Sequence, residues 1–119
     1  MLTLEEVLSD VADLPSFSDI KIIDVNSHGN HGETPLHWMA TLGDIAGIKL
    51  LIEAGADINS LNDEGNTPLH EAVVYRQAHA SRFLIESGSS LILKNKAGMS
   101  PVEIAEFDNY APTMELFNS

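Results

Sequence analysis

The chain has 119 residues, the length of one domain that buries roughly two thirds of the surface its unfolded form exposes. With 44% hydrophobic residues, 8 Gly, 5 Pro and no Cys, it should fold throughout on packing alone, which excludes disulfides, thiolate zinc sites and a Cys nucleophile. Eighteen acidic residues against six basic ones, a formal net charge of −12, exclude the positive surface that nucleic acid needs.

The segment Met1-Leu2-Thr3-Leu4-Glu5-Glu6 carries no basic run before an apolar one, and no stretch approaches the ~18 apolar residues that span a bilayer; a soluble, cytoplasmic chain is expected. Thr3 with Glu6 forms a capping box. Leu4, Val7, Leu8 and Val11 follow at helical spacing, while Glu5, Glu6, Asp10 and Asp13 give the helix a polar outer face. Residues 1–27 therefore read as a cap on whatever follows.

Next comes a repeat. Thr34-Pro35-Leu36-His37 recurs as Thr67-Pro68-Leu69-His70 and, loosely, as Ser100-Pro101-Val102-Glu103, 33 residues apart each time. Gly32, Gly65 and Gly98 keep the step, as do Glu53 with Glu86, Gly55 with Gly88 and Asn62 with Asn95. In each unit Thr or Ser caps a short helix with Pro at its first position, where the absent N–H costs nothing.

In the first full unit Leu36, Met39 and Ala40 should face inward until Gly43 reverses the chain. A second helix then presents Ile45, Ile48, Leu51 and Ile52, and Gly55 ends it. In the second unit Arg76 stands at the Gly43 position, which stores about 1 kcal/mol if a positive φ is kept, unless the turn is remodelled. In the third, Asn109 tolerates that conformation, Glu103 replaces the histidine and Pro112 enters the second helix, so the C-terminal end is expected to fray.

The Thr-Pro-Leu-His motif and the run Gly55-Ala56-Asp57-Ile58-Asn59 closely resemble those of ankyrin repeats, over residues 28–119. The resemblance implies an all-α solenoid of stacked helix-turn-helix units with projecting β-turns and one elongated core. It divides the single domain, 1–119, into repeats at 28–60 and 61–93 and a truncated one at 94–119. Residues 1–27 are then an N-terminal cap or a degenerate repeat, since Asp24-Val25-Asn26-Ser27 lies 33 residues before Asp57-Ile58-Asn59-Ser60. It also implies that His37 and His70 are structural braces bonded to Thr34 and Thr67.

In that family partners lie along a concave face made by the turns and first helices. Carried over by the 33-residue step, its contact positions are Asn30, His31, Glu33, Thr41 and Leu42, then Asp63, Glu64, Asn66, Val74 and Tyr75, then Lys96, Ala97, Met99, Phe107 and Asp108. The columns Thr41, Val74, Phe107 and Leu42, Tyr75, Asp108 are unusually apolar for water-facing positions, and Tyr75 and Phe107 suggest hot spots. Trp38 either packs between repeats or extends the patch.

With Glu33, Asp63, Glu64 and Glu71 bordering this strip, the expected partner is a protein with an apolar knob and a basic rim. The charge is also uneven: residues 1–64 hold 12 acids and 2 bases, net −10, and residues 65–119 hold 6 and 4, net −2. Such a field would steer in a basic partner, although solubility alone accounts for it equally well. Small, acidic, free-standing ankyrin proteins of this layout resemble bacterial ones, some of which are immunity proteins that mask a cognate toxin; the chain is then a monomer when alone. A scaffold that associates with itself through the same strip is the competing role.

Chemistry is sparse. Asp63 and Glu64 adjoin on an exposed turn with nothing to hold a substrate, and no phosphate loop, nucleophile elbow or His-Glu-x-x-His pattern occurs, so neither an enzyme nor a cofactor is expected. His28 and His31, with Asp24 and Glu33, are expected to lie on a solvated turn, and a metal site there, serving a metal-dependent enzyme, is the alternative.

Overall fold

The computed structural model describes residues 3–12 and 25–117; Asp13 and Asp24, invoked above for the outer face and the metal reading, lie outside them. Helix α1 (Leu4–Ala12) starts at Thr3, whose Oγ1 accepts the Glu6 N–H at 3.2 Å and pairs with Glu6 Oε1 at 3.1 Å. Its Val7 and Val11 are buried, with Leu4 and Leu8 packed beside them, and the helix lies against the first two helices of the repeats.

Those repeats begin alike because their sequences do. Helices α2 (Pro35–Leu42) and α3 (Ile45–Glu53), then α4 (Pro68–Val74) and α5 (Ala78–Glu86), then α6 (Pro101–Asp108) and α7 (Ala111–Met114), follow in pairs. At the head of each pair Thr34, Thr67 or Ser100 accepts a backbone N–H from the residue three ahead, which in turn accepts the capping residue's own N–H on its side chain. His37 and His70 close that box through Nδ1; Glu103 closes the third through Oε1 at 3.2 Å, so its departure from the motif keeps the cap.

The chain reverses after each first helix through one left-handed residue: Gly43 at φ +72°, Arg76 at +59° and Asn109 at +57°. The Arg76 turn is thus kept in its strained form and not remodelled. The Arg76 guanidinium makes a bidentate bond to Asp108, 3.1 Å to each carboxyl oxygen.

First helices α2, α4 and α6 pack side by side in one layer, and α3, α5 and α7 follow one another behind them. Between the layers lies the core, with Leu36, Ile48, Leu51, Leu69, Val73 and Leu84 fully buried. Ile45 is an exception to the expected apolar face: as the first residue of α3, beside the Asp44 cap, it is 37% exposed, and the buried Gly47 supplies the close contact.

The last pair differs most. Pro112 is accommodated in the first turn of α7, which runs for four residues and tightens into a 3₁₀ turn at Glu115–Phe117, against nine residues in α3 and α5. Among the described residues there is no strand, and no helix is long and apolar enough to cross a membrane.

Candidate functional site

The projecting turns are built from asparagines. Asn62 Oδ1 accepts the N–H groups of Glu64 and Asn66, and Asn95 Oδ1 accepts those of Ala97 and Met99, each at 3.0 Å. Neighbouring turns then join edge to edge: Asp63 N–H donates to His31 O at 2.9 Å and Lys96 N–H to Glu64 O at 3.0 Å, again 33 residues apart.

Each histidine ties a helix cap to the next turn. His37 Nδ1 accepts the Thr34 N–H at 3.0 Å, which fixes the proton on Nε2, and Nε2–H donates to Asn66 O at 2.8 Å. His70 repeats this between Thr67 and Met99 O at 3.0 Å. Burial pushes His37 down to about 4 and also lowers His70, the backbone acceptors opposing it only in part. Both imidazoles are thus neutral braces with both nitrogens occupied, as the resemblance implied.

On the face formed by these turns and first helices, Leu42, Val74, Tyr75 and Phe107 are exposed, Tyr75 by 56% and Phe107 by 85%. Asp63, Glu64, Lys96 and Ala97 are exposed on the turns, as are Asn30 and His31. Thr41 is half-buried, its hydroxyl donating to His37 O at 3.0 Å, and Met99 is half-buried too. Asp108 is engaged by Arg76, whose guanidinium also lies 4.9 Å from the Tyr110 ring centroid.

Two positions assigned to the water-facing set are corrected by the structure: Glu33 is only 8% exposed and Asn66 only 6%. Asn66 is drawn in because every polar group it has is used within the stack. Its O takes the His37 proton, its N–H goes to Asn62, its Nδ2 donates to Glu71 at 3.1 Å and its Oδ1 accepts from Asn95 at 2.8 Å. Glu71 also accepts from Asn62 Nδ2 at 2.9 Å, so it is half-committed to turn structure. The pairing of Arg76 with Asp108 has no signature in the local sequence, the two standing 32 residues apart.

Between the first two units the face sinks into a cavity of about 200 Å³, whose walls include Glu33, Glu64, Glu71, Trp38 and Tyr75. Trp38 packs against the core and lines this cavity. His28 is occupied by its own turn, donating from Nδ1 to Gly32 O at 2.7 Å, and among the described residues no three of His, Cys, Asp and Glu are grouped so as to hold a metal ion. The family model described as ankyrin repeats (3 copies) matches residues 11–107. Among curated proteins none matches the sequence.

Proposed function

The chain belongs to the ankyrin-repeat family, whose repeats mediate protein–protein interaction and are typically non-enzymatic, and we propose that it binds a basic protein along the face of its turns and first helices. The observation that carries this is the run of exposed apolar side chains Leu42, Val74, Tyr75 and Phe107, which the 33-residue repeat sets on one face. Soluble chains seldom leave aromatic rings so open without a partner to cover them. Exposed Asp63 and Glu64 border the strip, and the net −10 of residues 1–64 favours a basic rim on that partner.

A pull-down from the source organism's lysate tests it, comparing wild type with the double variant Tyr75→Ala, Phe107→Ala at low and high salt. One protein retained by the wild type, weakened by salt and lost from the variant is the expected outcome; each ring contributes on the order of 2 kcal/mol if it is a hot spot. Equal recovery by both baits would move the interface off this face. The identity of the retained protein decides the finer role: a toxin whose effect the chain suppresses makes it an immunity protein. Light scattering separates the same strip's use in self-association, which predicts a concentration-dependent dimer instead of a monomer.

A further inference from the structure

The cavity between the first two units holds an unmatched charge-bearing group. Glu33 is buried, and its Oε1 has no hydrogen-bond partner among the described residues. The two ion pairs found there, Arg76 with Asp108 and Lys94 with Glu103, lie elsewhere. One repeat further on, the same column holds Asn66, whose side chain is satisfied on both its oxygen and its nitrogen. The stack therefore does not need a carboxyl at this column, and a carboxyl oxygen withdrawn from water without a donor is costly to keep.

Glu33 lines the cavity, so a turn of its carboxyl would bring that oxygen to a donor entering from outside. The cavity, at about 200 Å³, is smaller than the roughly 300 Å³ where small-molecule pockets begin and suits one long side chain. Glu64 and Glu71 stand with Glu33 around it, and Trp38 and Tyr75 add aromatic walls. A guanidinium fits this combination better than an ammonium: it is flat, weakly hydrated, stacks on rings, and carries enough donors to serve two carboxyl groups at once.

We infer that this cavity receives the side chain of a single arginine of the partner protein, its guanidinium donating to Glu33 and stacking against Trp38 and Tyr75. The inference rests on the binding face proposed above and names the chemistry that the face selects.

Trp38 is the sole tryptophan of the chain, so its indole N–H gives one cross-peak in a proton–nitrogen correlation spectrum. The full chain is titrated with acetyl-arginine amide, with the lysine counterpart and with the neutral citrulline isostere. The arginine probe should give a saturable shift of that peak, and citrulline and lysine should bind about tenfold or more weakly. Glu33→Gln should weaken the arginine probe by a similar factor. No saturable shift, or a smaller difference in any of these comparisons, overturns the assignment.

The probe comparison uses the unaltered chain and so stands even if Glu33→Gln fails to fold. Phe107 does not line the cavity, and Phe107→Ala keeps the two proposals apart. If that variant loses the lysate partner while the arginine probe fails on the wild type, the cavity assignment falls and the binding face stands; if the probe binds and Phe107→Ala still retains the partner, the wider face falls instead.

Discussion

Protonating His37 in the folded chain would place the ring's second proton on Nδ1, which already faces the Thr34 N–H at 3.0 Å in a site closed to water. Its folded value of about 4 lies below the ordinary 6.5, so the unfolded chain binds the proton first. The stability that neutral His37 confers is complete above pH 6.5 and is lost as pH falls towards 4. In that window the folding equilibrium drops by roughly tenfold per pH unit for this group, and His70 acts in the same direction. Urea unfolding of wild type and His37→Gln isolates the effect from the carboxyl groups, which both chains share. The wild type should be the more stable at pH 7, with its advantage shrinking steadily to pH 5; an advantage constant over that range would show that His37 does not stay neutral in the fold.

At the scale of the element, the turns are tied by backbone approach as well as by side chains. A Cβ on Gly32, at φ +75°, would meet Asp63 N at 2.9 Å, the nitrogen that donates to His31 O. Gly98 has nearly the same φ, +79°, but open space beyond it. Gly98→Ala should therefore lose only the left-handed penalty, about 1 kcal/mol, whereas Gly32→Ala loses that and the joint between turns, about 2 kcal/mol or more, both read by urea unfolding. Equal losses would mean the turns are not held edge to edge. The period of 33 made these elements legible, because caps, Pro positions and left-handed turns are local and recur with the residues that cause them. The burial of Glu33 and Asn66 was not legible, since the partners that draw Asn66 in, His37 and Asn95, each lie 29 residues away. The same is true of Gln77, which gives no cap bond to α5 and instead sends Nε2 to Thr41 O at 2.9 Å in the preceding unit. The cavity is a property of two neighbouring repeats and has no signature in either one alone.

Over the whole molecule, eighteen acidic residues face six basic ones, and among the described residues the two ion pairs are partly open to water and contribute little. Self-repulsion is thus the dominant surface term, and it acts on the compact state more than on the expanded one. Raising sodium chloride from about 10 mM to about 150 mM shortens the screening length from roughly 30 Å to roughly 8 Å, so the melting temperature of the free chain should rise. The field that opposes folding would also draw a basic partner towards the binding face proposed for it, and screening should slow that association over the same range while leaving dissociation nearly unchanged. Stopped-flow association beside thermal melts at matched salt therefore tests one cause through two signs. A melting temperature that falls with salt would assign the surface charge a stabilising role through pairing, and the acidity could then no longer be read as a feature kept, at the expense of stability, for recruiting the partner.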